Sequence, residues 1–217
     1  MNWNEALDRM TRCGVNETIP NCAAIDTRRY LFESVRRLRA HRVLEVGTYI
    51  GVSTLALALG LEGTGRILTV DLHDVLAPDG YWATDADENG APIMGASPAV
   101  LWEHGGVADK ISFIHAPAPG VLHWLQPGFD FAFVDAWKHE DVVYETLVGT
   151  IRLMRPGGII AVHDVYPNGE QFLPGITSDP GPWRAVERLR RERPGLDVRY
   201  LTNLPDGGED RMAEIRI

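Results

Sequence analysis

The chain is short of cysteine, of cationic charge and of long apolar runs, and each shortage excludes something. Cys13 and Cys22 are the only cysteines in 217 residues, so no disulfide framework holds the fold, and a reducing, cytoplasmic setting is expected. Lys plus Arg number 21 against 30 Asp plus Glu, a formal charge of −9. That balance argues against tracking a phosphate backbone, which depends on cationic neutralisation. The longest near-apolar run, Val52 to Leu61, is about half a membrane span. The opening Met1-Asn2-Trp3-Asn4-Glu5 has no cationic segment leading into an apolar one. Neither nucleic acid nor membrane is an expected partner.

What is present is the composition of an ordinary globule, 45% hydrophobic and 24% charged, with a length suited to one domain spanning 1–217. Glycine (22) and proline (14) are plentiful and cluster between apolar segments, which marks long loops. Charge is unevenly spread. Ile67 to Asp109 contains no Lys or Arg yet holds Asp71, Asp74, Asp79, Asp85, Asp87, Glu88, Glu103 and Asp109, whereas Arg28, Arg29, Arg36, Arg37, Arg39 and Arg42 crowd one short stretch. Such blocks are ordinarily solvated faces. If the acidic loop faces a cleft, its field favours a cationic ligand.

Residues 1–41 read as N-terminal helices: one over 3–12, then a second with Asp26 as N-cap and Leu31, Val35 and Leu38 along one face. Five β-type runs follow, Arg42–Gly47, Ile67–Asp71, Ile111–Ile114, Phe129–Val134 and Gly158–Val162. Helical patterns lie between them: Val52–Leu61, and a stretch carrying Val143, Leu147, Ile151 and Met154 before Pro156-Gly157-Gly158. Strands alternating with helices predict a doubly wound, Rossmann-like α/β fold with a mostly parallel sheet. A helix ending near Arg193 precedes two runs, Val198–Leu201 and Met212–Ile217. These are placed to pair antiparallel across Pro205-Asp206-Gly207-Gly208 and bring the sheet to seven strands. Residues 76–97, with Tyr81, Trp82, Ile93 and Met94, and 166–182, with Phe172, are read as loops that cover a substrate.

In Glu45-Val46-Gly47-Thr48-Tyr49-Ile50-Gly51-Val52-Ser53 two glycines four apart join a strand to a helix. Glycine lets backbone approach a ligand closely, and the helix start offers free N–H groups to an anionic group. The spacing is not the G-x-G-x-x-G of dinucleotide folds. Asp71 closes the next strand, where a carboxylate can accept from both ribose hydroxyls. The alternative is an ordinary β–α turn with no ligand.

This segment resembles the class I S-adenosylmethionine-dependent methyltransferases, above all the small catechol and caffeoyl-CoA O-methyltransferase group and related small bacterial methyltransferases. In that group L-E-[IL]-G-x-[YF]-x-G-[YV]-S opens the cofactor site. The likeness covers roughly residues 25–165. It implies that Gly47, Tyr49, Gly51 and Ser53 hold the methionine part of S-adenosyl-L-methionine, that Asp71 holds the ribose, and that Glu45 anchors the loop. Phe133-Val134-Asp135-Ala136-Trp137-Lys138 is similar to the group's D-x-W-K element. By resemblance Asp135 takes a divalent metal, Mg or Mn, and lies at the cofactor. Trp137 flanks the cofactor, and Lys138 removes a proton from the acceptor hydroxyl. A lysine starts near pKa ~10.4 and serves as a base near neutrality only if burial or a nearby cation disfavours its charge.

Val162-His163-Asp164-Val165 departs from the group's Asp-Asn pair at the end of the fifth strand. Asp135 and Asp164 keep two carboxylates, while His163 offers a nitrogen that suits Mn, Fe or Zn better than Mg. His163 is alternatively a base needing no metal, and His139 lies nearby in sequence. The resemblance implies O-methylation of a small hydroxylated metabolite, with natural-product biosynthesis as the generic setting. Two rivals stand beside it: another sulfonium reaction, such as intramolecular cyclisation releasing methylthioadenosine, and a non-catalytic nucleotide-binding module. Homo-oligomerisation is left open by the sequence.

Overall fold

Five parallel strands are laid down in the order in which their apolar runs occur. In the computed structural model β1 (Arg42–Val46), β2 (Arg66–Asp71), β3 (Ile111–His115), β4 (Phe129–Val134) and β5 (Met154–Val162) form one sheet with β8 (Asp197–Leu201) and β9 (Met212–Arg216). β6 (Gln171–Leu173) and β7 (Ile176–Thr177) make a separate antiparallel pair. The structure describes residues 1–15, 23–77, 97–136, 138–166, 180–201 and 211–217, together with the backbone of β6 and β7. Cys22, Trp137, most of the acidic loop with Tyr81, Trp82, Ile93 and Met94, the Phe172 side chain and the turn at Pro205–Gly208 lie outside the described residues.

The strand order is β3-β2-β1-β4-β5-β9-β8. Neighbours from β3 to β5 run parallel, and β9 pairs antiparallel with both β5 and β8. The predicted closing hairpin and seven-stranded, doubly wound architecture are therefore present. Alternation along β4 builds the two faces. Phe131 and Phe133 enter the core beneath α1 (Trp3–Arg12), α2 (Ile25–Arg37) and α3 (Val52–Gly60). Ala132 and Val134 enter the opposite core, joined by Phe129, which a register shift before Phe131 sets out of the alternation. That second core lies beneath α6 (Glu140–Leu153) and α7 (Gly181–Glu192). Each buried phenylalanine contributes roughly 1.5–3 kcal/mol by leaving water. No helix among the described residues is long and apolar enough to cross a membrane.

Local departures from the sequence reading have physical causes. Ala24, not Asp26, is the N-cap of α2, and Asp26 lies buried in the first turn. α6 stops at Leu153, because Met154 already pairs with Phe129 as the first residue of β5. Two short helices escaped the periodicity: α4 (Pro98–His104), capped by the Ser97 side chain, and α5 (Ala118–Leu122). Neither is long enough to repeat a face. The stretch read as a loop over 166–182 contains the β6–β7 pair.

Candidate active site

The sheet order reverses between β1 and β4, so crossovers leave these strands in opposite directions and open a crevice at their C-terminal ends. The glycine segment and Asp135 meet there. The ladder continues past the strands: Asp135 N–H donates to the Val46 carbonyl at 2.8 Å, and Gly47 N–H to Val70 at 2.8 Å. On the other side His163 N–H donates to the Val134 carbonyl at 3.0 Å.

In the turn, Gly47 (φ 99°), Tyr49 (φ 48°) and Gly51 (φ 79°) all adopt left-handed backbone, which for Tyr49 stores strain of order 1–3 kcal/mol. The room freed by the two glycines is filled by the protein itself. A Cβ at Gly47 would lie 2.1 Å from the Asp135 carbonyl oxygen, and one at Gly51 2.8 Å from Trp102 Nε1. Trp102 in turn donates to the Gly51 carbonyl at 3.1 Å. These glycines thus fix the loop against β4 and α4. Trp102 carried no signal in the sequence.

Asp71 is already engaged. Its Oδ2 accepts from Thr48 N at 2.9 Å and Tyr49 N at 3.0 Å, and its Oδ1 from His73 N at 2.9 Å. A carboxylate has about four acceptor positions, and described residues use three of them. The ribose role expected of Asp71 from sequence would share the carboxylate with these three donors. Asp71 thus ties the glycine turn to β2.

Glu45 is fully buried, its Oε2 accepting from Thr54 Oγ1 at 2.5 Å and Thr69 Oγ1 at 2.7 Å, with Thr48 and Thr69 hydroxyls 2.6 Å apart. Oε1 has no hydrogen-bond partner among the described residues. Burial raises the carboxyl from its ordinary 4.5 to about 7, against the lowering effect of the Thr54, Thr69 and Ser53 hydroxyls; the Asp135 charge adds to the rise. The folded state therefore holds a proton that the unfolded chain sheds, and stability falls as pH climbs from about 4.5 to about 7. We expect Glu45→Gln to flatten that slope. Denaturant melts at pH 5 and pH 8 check it: the variant gains relative to wild type at pH 8, and a variant that loses more at pH 8 than at pH 5 contradicts it.

At the ends of β4 and β5, Asp135, His163 and Asp164 each offer one ligating atom, all within 4.8 Å of one another. His163 Nδ1 lies 3.3 Å from Asp135 Oδ1 and 3.3 Å from Asp164 Oδ1, and its ring packs edge-on to Phe133 at 5.8 Å. Asp164 turns inward through a left-handed residue, φ 56°, a conformation aspartate tolerates better than most. Lys138 bridges the pair, its Nζ 3.1 Å from Asp135 Oδ1 and also bonded to Asp164 Oδ2. A cation thus already lies between the carboxylates, and two carboxylates with one imidazole form a donor set that fits a divalent ion such as Mn.

This arrangement reverses the titration expected of Lys138. Burial opposes its charge, but attraction to Asp135 and Asp164 outweighs it and holds the ammonium above the ordinary lysine range. Burial likewise pushes Asp135 up, while the His163 and Lys138 charges prevail and hold it well below the carboxylate range. Lys138 is a base only where another cation neutralises its two carboxylates. Of the remaining candidates, Ser53 is buried at the start of α3, His139 caps α6, and Trp137 is outside the described residues.

The fold, together with the relatives it resembles, identifies the chain as an S-adenosyl-L-methionine-dependent methyltransferase. A family described as O-methyltransferase matches residues 4–178. A catechol O-methyltransferase of Mycobacterium tuberculosis is 30% identical over 177 residues, covering 81% of this chain and 71% of the relative. A caffeoyl-CoA O-methyltransferase of Populus kitakamiensis is 34% identical over 142 residues, covering 63% of this chain and 52% of the relative, so that match spans about half the plant protein's length. Among solved structures, cofactor-bound Rv0187 from MTB superposes with a TM-score of 0.68 at 27% identity, covering 99% of this chain and 88% of that one. The chain belongs to the O-methyltransferase family.

Proposed function

We propose that the chain transfers the methyl group of S-adenosyl-L-methionine to a hydroxyl of a small molecule, with a phenolic hydroxyl as the favoured acceptor. The observation that carries this reading is the convergence of Asp135, His163, Asp164 and Lys138 at the strand ends beside the glycine turn. The names of the mycobacterial and poplar relatives support a hydroxylated aromatic. So does acidity, since a phenol ionises near pKa ~10 and asks less of a base than an aliphatic alcohol.

In this reading the turn from Gly47 to Ser53 holds the methionine part of the donor and Asp71 accepts from a ribose hydroxyl. Asp135, His163 and Asp164 would hold a divalent metal, which would supply Lewis acidity toward the acceptor hydroxyl. Lys138 takes the hydroxyl proton once its carboxylates are neutralised. The new O–C bond forms as the S–C bond breaks, and the electron pair departs with S-adenosylhomocysteine. Charge disperses in such a displacement, so alignment supplies much of the rate. A net charge of −9 supports a small-molecule partner over nucleic acid, and sparse cysteine supports a cytoplasmic setting.

Product analysis tests the reading. Incubation with S-adenosyl-L-methionine and catechol or caffeoyl-CoA is expected to give a methylated product, and EDTA to suppress it with restoration by Mn or Mg. Methylthioadenosine formed without acceptor would instead establish the cyclisation chemistry, and turnover unaffected by EDTA would remove the metal from the account.

A further inference from the structure

α7 begins with glycine, which is among the weakest helix formers. The φ of Gly181 lies outside the left-handed region, so backbone conformation does not require it. Contact does. A Cβ at Gly181 would lie 1.6 Å from the Lys138 carbonyl oxygen, 2.8 Å from its carbon and 2.9 Å from Glu140 N. These are backbone atoms, which cannot swing aside as a flexible side chain can.

The two sides of this contact are rigidly mounted. α7 is anchored in the core through Ala185, Val186 and Leu189. It is joined to α6 by the Arg188–Asp141 ion pair and the Tyr144–Glu192 hydrogen bond. α6 begins at Glu140, two residues after Lys138. The start of α7 therefore closes on the short link between β4 and α6, while Gly47 backs the Asp135 carbonyl at the other end of the same link. The segment that carries Asp135 and Lys138 is held between two positions without side chains.

We propose that Gly181 is a positioning residue for Lys138: an absent side chain at the first position of α7 lets that helix seat on the Lys138 carbonyl and fixes the Lys138 side chain over Asp135 and Asp164. This rests on the place given to Lys138 under the proposed function. Gly181→Ala pushes the link away from α7 and carries Nζ with it, leaving the glycine turn and Asp71 undisturbed.

The test is a double-mutant cycle on the full chain, read as turnover of catechol and as calorimetric binding of S-adenosylhomocysteine. Gly181→Ala is expected to lower kcat at least tenfold and leave the Kd for S-adenosylhomocysteine within twofold. In a Lys138→Ala background the same change is expected to alter kcat less than twofold. Amide hydrogen exchange of residues 138–140 should accelerate in Gly181→Ala while that of β1 stays unchanged. Gly195→Ala, at a glycine with open space around it, should match wild type throughout. An equal loss of kcat in both backgrounds overturns the proposal, and so does a Gly181→Ala protein that no longer melts cooperatively or binds S-adenosylhomocysteine. Full turnover by Lys138→Ala alone would instead remove Lys138 from the reaction and defeat the reading beneath it.

Discussion

Asp135→Ala is expected to lower turnover by roughly a hundred- to ten-thousand-fold, the range for losing a positioned acid–base group such as the Lys138 it aligns, and to leave donor binding within a fewfold of wild type. The Asp135 carboxylate is where Lys138 and His163 converge, at 3.1 and 3.3 Å. Its loss leaves Lys138 paired with Asp164 alone and removes one of the three atoms that could ligate a metal. The donor side should survive. Gly47 packs against the Asp135 backbone carbonyl, which alanine retains, and the Asp135 N–H still reaches the Val46 carbonyl. Steady-state kinetics on catechol beside calorimetry with S-adenosylhomocysteine separates the two effects. Equal loss of turnover and donor binding would refute the division of labour between the two ends of the site.

Asp71→Ala is expected to do the opposite. A hydrogen bond to a charged group contributes about 1.5–3 kcal/mol, so losing the ribose contact weakens donor binding roughly ten- to a hundredfold. Removing the carboxylate also takes away the acceptor that the Thr48, Tyr49 and His73 N–H groups share. Thr48 is buried, and an unsatisfied buried donor costs about 1–3 kcal/mol. The variant should therefore melt at a lower temperature as well as bind less tightly, and saturating donor should restore much of its turnover. Donor affinity equal to wild type would show that Asp71 serves the turn alone.

The sheet was legible because parallel strands buried on both faces read as apolar runs: Phe129–Val134 is buried at every position. The site was legible where the chemistry sits at a strand end, as with Asp135 and His163-Asp164, since topology alone brings such residues to one edge. What could not be read depends on side-chain geometry or on contacts between distant segments. Lys138 looked like a base until its two carboxylate partners were in place. For Asp71 the sequence places a carboxylate at the strand end but says nothing of the three backbone N–H groups it accepts from. Gly181 sits in a Pro/Gly-rich stretch like many others, and its meaning comes from the Lys138 carbonyl, far off in sequence. α4 and α5 were missed because a helix of one or two turns has no room to repeat an apolar face.

The most direct test of the account is calorimetric titration of S-adenosylhomocysteine into wild type, Asp71→Ala and Asp135→Ala in parallel. Saturable one-to-one binding is expected for wild type, nearly the same affinity for Asp135→Ala, and a ten- to hundredfold loss for Asp71→Ala. No binding by a cooperatively folded wild-type protein would contradict it at its centre.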